Sequence, residues 1–400
     1  MSNRLKLFRE RMAAFEGAAN PSEAIESGYY VHAPGKLLVD TISGRIALRP
    51  SSSHLLLGGI GSGKTTQLLV ACQQINEIED THAIYVDVSL YTDISQITNG
   101  VLTAIAGLEL AKLIEDSKDE HIIQSIDSIR NLANGYTYYY DHNDDYDNYD
   151  SDLISRKGII PKKSEGYGIS LDLLELVSKL TKAASEKYGN IVFLFDGLDR
   201  LDDTKVFMQL VYSDAKAISS VGIGLVLVGS LTAIYGNFRD TVDKSLDYFC
   251  YQPFFDVEND LEAYNFFEKI IQTRLSEDFI EKSAIKVLIL SSGGVLRDFI
   301  TLTQASIEET YLSGEDQVGQ KQVLKAVDDF SRSQLLGVSD KELNILEQVI
   351  KTKTFIPRTD EDLRLLVRRL ILEYREPKIS YAVHPAIKQI LEQIPVQSYC

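Results

Sequence analysis

The run Gly58-Gly59-Ile60-Gly61-Ser62-Gly63-Lys64-Thr65, continued by Thr66, carries the residue types needed to hold a chain of phosphates. It fits the spacing G-x-x-x-x-G-K-[ST] of a phosphate-binding loop. Glycines let the backbone turn through positive φ and point successive N–H groups at phosphate oxygens. Lys64 supplies a mobile ammonium for the β- and γ-phosphates, and the Thr65 hydroxyl is the type that ligates Mg²⁺. A helix starting near Lys64 would aim the positive end of its dipole at the same anion. The context fits: apolar His54-Leu55-Leu56-Leu57 precedes the loop as a strand, and Thr66 to Cys72 follows as a helix.

A second chemical cluster is Asp196-Gly197-Leu198-Asp199-Arg200, which ends the apolar run Ile191-Val192-Phe193-Leu194-Phe195. Such a run suits a parallel strand buried on both faces. Ligands of open α/β sheets lie at the carboxyl ends of strands, where Asp196 could hold Mg²⁺ through water. Asp87, ending the run His82 to Val86, is the rival for that role; the richer acidic cluster favours Asp196.

The elements that must position these groups alternate strand and helix. Strands are expected at 54–57, 82–89, 191–195, 222–230 and 247–251, with a helix over Leu171–Ser185 and helical patterns reaching Leu110 and Leu113. The sum is a parallel sheet wrapped by helices. Ahead of it, residues 1–50 read as an N-terminal segment: a helix over Leu5–Phe15, then short extended stretches at Tyr29–His32 and Ile46–Leu48. Residues 51–257 form the expected core, interrupted at about 114–168 by an insertion rich in Tyr and Asp. That insertion is acidic and aperiodic, and reads as a solvated or partner-docking loop. Its aromatics could stack on bases, but its aspartates would repel phosphates. Asp141, Asp144, Asp145 and Asp147 lack the spacing of a calcium loop.

Four hundred residues suffice for two or three domains, and 44% hydrophobic with 25% charged residues is ordinary for a globular chain. No stretch is apolar for the ~18 residues of a membrane span, and the first residues lack an apolar signal core. Three distant cysteines, Cys72, Cys250 and Cys400, suit a reducing cytoplasm without a disulfide frame or zinc site. The net charge of −17 argues against a broad nucleic-acid surface, though a local basic patch is compatible with it.

The order of the phosphate loop, the Asp-Gly-Leu-Asp-Arg strand, an apolar strand ending at Ser230, and Ser292-Gly293-Gly294-Val295-Leu296-Arg297 resembles the AAA+ superfamily and the neighbouring STAND signalling ATPases. Within AAA+ it looks most like the branch of origin-recognition and bacterial transposition ATPases, over about residues 25–400. The resemblance implies that Asp196, with Thr65, holds Mg²⁺. It makes Ser230 the sensor 1 polar group, whose plainer alternative is a strand-end cap. Arg297 would be the sensor 2 arginine on a helical lid, and Arg239 an arginine finger given to a neighbouring subunit. ATP is expected over GTP, since no guanine-reading Asn-Lys-x-Asp motif is present. The chain departs from the pattern where AAA+ proteins place Glu directly after the strand-end Asp. Here stands Gly197, and the next acid is Asp199: either Asp199 orients the attacking water, or hydrolysis is slow and nucleotide acts mainly as a switch.

Residues 258–335 read as the lid, with helices at 261–272, 277–291, 296–311 and 320–331. Residues 336–400 read as a winged-helix-like domain: helices 340–350 and 361–370, a hairpin turning near Glu376-Pro377, and a helix from Pro385. Its ten Lys/Arg against nine acids between 339 and 398 leave it nearly neutral, with Arg364, Arg368 and Arg369 grouped on the presumed recognition helix. Such donors suit a major groove, yet winged helices in the resembled classes also dock proteins. The resulting expectation is a self-assembling ATP-dependent switch that controls a separate effector protein, with bacterial antiviral defence as the context suggested by analogy. Its alternatives are a DNA-associated AAA+ loader or transposition regulator, and a nucleotide-bound scaffold without turnover.

Overall fold

The computed structural model describes residues 3–16, 21–34, 38–133, 169–201, 204–235, 244–376 and 378–393. The Tyr/Asp-rich part of the insertion, with Asp141, Asp144, Asp145 and Asp147, lies outside the described residues, as do Arg239 and Pro377. Among the described residues, no helix is long and apolar enough to cross a membrane. The chain divides into two compact units: residues 41–56 with 70–250, and residues 1–40, 57–69 and 251–400.

The first unit holds the sheet. Strands β1 (Ser53–Gly58), β2 (Thr81–Asp87), β3 (Asn190–Asp196), β4 (Gly224–Val228) and β5 (Tyr248–Gln252) stand in the order β2-β3-β4-β1-β5. β2 pairs with β3, β3 with β4 and β4 with β1, all parallel. The central strands are buried on both faces, which explains why their sequences are continuous apolar runs rather than alternations. β2, at the edge, alternates between buried and half-exposed positions. Register pairs Asp87 with Asp196, so β2 and β3 end level, each on an aspartate. The stretch 222–230 is a strand only over 224–228, and 82–89 gives way to a 3₁₀ turn at Val88–Leu90.

Ile46–Leu48 is not extended: it is the last turn of helix Leu38–Leu48. Val39, Ile42 and Ile46 recur at helical spacing and are all buried, and that face outweighs the local β-branched preference. Tyr29–His32 is irregular chain rather than strand.

The second unit contains the phosphate loop, the N-terminal helix Asn3–Ala13, the lid helices Leu261–Gln272, Lys282–Ser291, Leu296–Ser313 and Gln320–Gln334, and the winged-helix-like region. The lid core is aromatic: Phe267 meets Phe266 and Phe299 edge-on, with centroids 5.4 and 4.9 Å apart. Phe8 of the N-terminal helix packs on Phe279. Arg4 fastens that helix by donating to the carbonyls of Thr310, Tyr311 and Glu315, so the N-terminal segment docks on the lid. The lid helix expected from Glu277 starts at Lys282, because Ile280 bridges to Val318 in extended form.

In the winged-helix-like region, capping boxes at Ser339/Glu342 and Thr359/Asp362 start helices Asp340–Thr352 and Asp360–Val367. Strands β6 (Ile371–Tyr374) and β7 (Ser380–Val383) form the antiparallel hairpin, and helix Pro385–Gln393 follows. The second helix stops three residues earlier than the pattern to Leu370 suggests. Its end is a Schellman turn: Arg369 N–H donates to Leu366 O and Leu370 N–H to Leu365 O. Glycine is the usual residue at the left-handed position of that turn; here it is Arg369, with φ +61°. The cost of that choice is about 1 kcal/mol relative to glycine.

Candidate functional site

The phosphate loop leaves β1 and enters helix Lys64–Asn76, as the spacing predicts. Gly61 and Gly63 adopt φ of +84° and +94°, values that a side-chain-bearing residue rarely takes. Lys64 is only 4% exposed, and its ammonium donates to the loop carbonyls of Gly58 and Gly59 at 3.0 Å each. Ser62 Oγ is buried without a hydrogen-bond partner, a polar group that a phosphate oxygen would satisfy. Thr65 and Thr66, in the first turn of the helix, are half-buried. A positively charged loop with left-handed glycines and an unmatched hydroxyl fits the phosphates of a nucleotide.

The outer side of the loop is closely covered within its own unit. A Cβ on Gly59 would lie 2.1 Å from the Phe254 ring, on Gly61 2.7 Å from Arg297 Cβ, and on Gly63 2.9 Å from Leu296 Cδ1. Arg297 N–H donates to Gly61 O at 3.2 Å. That bond caps the lid helix Leu296–Ser313, whose N-cap, Val295, has no side chain able to do so. The Arg297 side chain is exposed. Next to it, Asp298 is 2% exposed and bound two-pronged by Arg369, Nε to Oδ2 at 3.0 Å and Nη2 to Oδ1 at 2.9 Å. His384 Nε2 approaches Asp298 Oδ2 at 3.4 Å. Burial alone would raise the pKa of Asp298; the proximity of His384 and Arg369 outweighs that and holds it below the ordinary carboxylate range. Phe254, Val295, Leu372 and Tyr374 form a small apolar cluster alongside, and Tyr374 O–H donates to Gly293 O at 2.9 Å.

In the sheet unit, Asp196 is buried at the end of β3. Tyr85 O–H donates to its Oδ2 at 3.0 Å and Gly197 N–H to its Oδ1 at 2.7 Å. Burial and the Asp196 carboxylate raise the Tyr85 phenol, so it remains a donor. Asp87 instead caps the turn after β2, accepting from Ser89 N–H at 2.9 Å and Ser89 O–H at 2.6 Å. Gly197 has φ +89° and leads into the 3₁₀ turn Leu198–Arg200, where Asp199 is half-buried. Ser230 follows β4 and caps the turn Leu231–Ile234, its Oγ 2.9 Å from Thr232 Oγ1, which in turn meets Thr204 Oγ1 at 2.8 Å. Ser230 therefore has the geometry of the strand-end cap.

The three grouped arginines of the winged-helix-like region each have partners within the chain, although Arg364 is exposed. Arg369 is on Asp298; Arg368 donates to the carbonyls of Gln334 and Leu336 at 2.9 Å; Arg364 donates to Gly337 O and lies 3.2 Å from Glu342 Oε1. Groups of the lid, the linker and the winged-helix-like region itself engage them here, with Arg369 mostly buried and Arg364 still open to solvent. Tyr85, Phe254, Asp298 and His384 were not singled out in the sequence. Tyr85 was readable in principle, two residues before the aspartate of a strand that had to pair somewhere. The others depend on contacts between distant segments.

The five-stranded order, the phosphate loop after β1, the helical lid and the winged-helix-like region define a P-loop NTPase fold. No protein-family model and no curated protein matches the chain. Among solved structures it is similar to the Aeropyrum pernix ORC2 protein in ADPNP–ADP complexes, at 15% identity over 90% of this chain and 96% of that one, with TM-score 0.44. It is similar to the Aeropyrum pernix ORC1 protein in complex with DNA, at 12% identity over 91% and 94%, TM-score 0.46. It is also similar to the Thermotoga maritima RuvB Holliday junction branch migration motor, at 14% identity over 89% and 94%, TM-score 0.40.

Proposed function

We propose that the chain is an ATP-binding, slowly hydrolysing switch of the AAA+/STAND kind that self-assembles and controls a separate effector protein. The observation that supports it best is the phosphate loop itself: left-handed Gly61 and Gly63, buried Lys64, the unmatched Ser62 hydroxyl, and a lid helix capped by the loop's own Gly61 carbonyl. A lid attached to the loop backbone is suited to sensing what the loop holds. Residues Gly58 to Thr66 bind the phosphates in this reading, and Lys64 turns from the loop carbonyls to the β- and γ-oxygens.

In this reading Thr65 and Asp196 would hold Mg²⁺, which would supply charge neutralisation for the phosphates. Asp196 is oriented by the Tyr85 hydroxyl and the Gly197 N–H. Asp199 is the remaining acid for orienting water, Ser230 the polar group beyond β4, Arg297 the lid arginine, and Arg239 the candidate finger between subunits. The domain plan is an N-terminal segment 1–50, core 51–257 with the insertion near 114–168, lid 258–335 and winged-helix-like domain 336–400. Cytoplasmic action beside an antiviral effector is the context this reading carries from its resemblance.

The test is phosphate release by the purified chain with Mg-ATP, beside Lys64→Ala, across protein concentrations. Turnover per subunit that rises with concentration supports sites completed by assembly. Wild-type release from Lys64→Ala would reject the nucleotide site. Bound nucleotide without turnover would leave the scaffold alternative. A second reading, a DNA-associated ATPase, is favoured by the winged-helix-like fold. It requires steeply salt-dependent DNA affinity.

A further inference from the structure

Arg369 is an anomaly on two counts. It occupies the left-handed position of a Schellman turn, where the backbone favours glycine, and it is an arginine of a presumed recognition helix that faces away from any groove. Both are explained by what its guanidinium does. The planar fork matches the Asp298 carboxylate two-pronged, at 2.9 and 3.0 Å, in a place where the carboxylate is almost wholly buried. Asp298 stands in the first turn of the lid helix Leu296–Ser313, directly after Arg297. Arg297 N–H holds Gly61 O of the phosphate loop. Two further contacts run in parallel. Tyr374 O–H binds Gly293 O, and the cluster Phe254, Val295, Leu372 and Tyr374 places Phe254 against Gly59.

His384 supports the same carboxylate. Ala386 N–H donates to His384 Nδ1 at 3.2 Å, and the other ring nitrogen, Nε2, lies 3.4 Å from Asp298 Oδ2. The winged-helix-like region thus reaches the start of the lid helix through one buried charge pair, one hydroxyl and a few apolar side chains. The start of the lid helix in turn touches two glycines of the phosphate loop, Gly61 and Gly63.

We propose that Arg369 is a positioning residue for the phosphate loop: through Asp298 it fixes the first turn of the lid helix, and with it Arg297, against Gly61, so that the winged-helix-like region sets how the loop tells a nucleoside triphosphate from a diphosphate. The inference rests on the nucleotide reading above. The arginine acts through Asp298 and Arg297 and touches no substrate. Its side chain is what the strained backbone position retains.

The test measures the affinity of the full chain for a non-hydrolysable ATP analogue and for ADP, and takes their ratio. Arg369→Gly removes the guanidinium while relieving the left-handed strain, and Asp298→Asn in the same chain removes the charge it would leave buried. Arg369→Lys keeps the charge without the two-pronged fork. The expected result is a loss of about tenfold in the triphosphate-to-diphosphate ratio for Arg369→Gly, within the usual range for coupled sites. Arg369→Lys should fall between, and Arg297→Ala, which keeps the backbone bond to Gly61 but removes the lid arginine of the proposed reading, should lose as much with no further loss on adding Arg369→Gly. A lesion that merely reduced the folded fraction would lower both affinities alike and leave the ratio unchanged. An unchanged ratio in the folded variants, or losses that add, overturns the proposal while Lys64→Ala still abolishes binding. Retained binding in Lys64→Ala overturns the nucleotide reading instead.

Discussion

Replacing Gly197 by glutamate installs the residue that the resembled AAA+ pattern carries after the strand-end aspartate, and the expected outcome is a less stable protein with no faster turnover. The reason is the backbone. Gly197 has φ +89°, where an L-residue loses about 1–2 kcal/mol. A Cβ there would lie 3.1 Å from Asp87 Oδ1, tighter than ordinary contact and aimed at a carboxylate. Gly197→Ala isolates the backbone part of the effect. At roughly 2–4 °C per kcal/mol for a unit of this size, it should lower the melting temperature by about 2–8 °C. Gly197→Glu should lose at least as much, because its side chain sets out toward Asp87 and brings a second negative charge beside it.

The assay pairs thermal unfolding with phosphate release at saturating Mg-ATP, with Asp199→Ala run alongside. If Asp199 orients the attacking water, its removal lowers release while Gly197→Glu fails to raise it. An alanine variant that melts like the wild type, together with a glutamate variant that hydrolyses faster, would show that the backbone at Gly197 is not the obstacle. The chain would then lack only a side chain.

Lys64→Ala should abolish nucleotide binding measured by titration, since it removes the buried ammonium of the loop. Asp196→Ala should retain part of the nucleotide affinity and lose Mg²⁺-dependent release. Tyr85→Phe, which deletes the hydroxyl on Asp196, should cost about 1 kcal/mol in unfolding and shift the Mg²⁺ dependence of release by a few-fold; identical Mg²⁺ titrations would reject a role for that contact. His54 is wholly buried, its Nε2 2.8 Å from Ser52 Oγ, and burial followed by the nearby Arg45 lowers its pKa from 6.5 to about 4. The folded value lies below the unfolded one, so this contribution is complete above pH 6.5 and is lost as the pH falls toward 4. The linked loss is about 3 kcal/mol. His54→Gln should flatten the melting-temperature profile across that window, and an unchanged slope would place the titration elsewhere.

What could be read from the chain was whatever short-range rules determine. The loop, the two-face-buried β3 and β4, the lid helix at 261–272 and the hairpin after residue 370 all follow from local spacing, and all are present. Ile46–Leu48 misled because three apolar residues look like a strand until the helical spacing from Val39 is counted. The partners of Arg364, Arg368 and Arg369 are not legible for a different reason. Three arginines on a helix look alike in sequence whether they face a groove or their own lid, and only the partners Asp298, Glu342 and the carbonyls of Gln334, Leu336 and Gly337 decide.

One local signal did separate Arg369 from the other two. A helix that ends at Val367 needs a left-handed residue two positions on, and the chain offers arginine where glycine would fold more easily. A residue kept against its backbone preference points to its side chain as the cause. The same logic applied in reverse picks out Gly197, where the backbone has moved away from the state that a glutamate needs. The two positions are complementary. At one the chain tolerates strain to keep a guanidinium on the lid; at the other it gives up a carboxylate to keep an unstrained left-handed turn. In the proposed reading, the two together favour transmitting the loop's state to the winged-helix-like region over rapid hydrolysis. Measuring the ATP-to-ADP affinity ratio and the turnover rate in the same Arg369→Gly and Gly197→Ala variants separates the two functions. The first should lose discrimination, the second only stability, and a shared effect on both would mean that binding and signalling are not divided in this way.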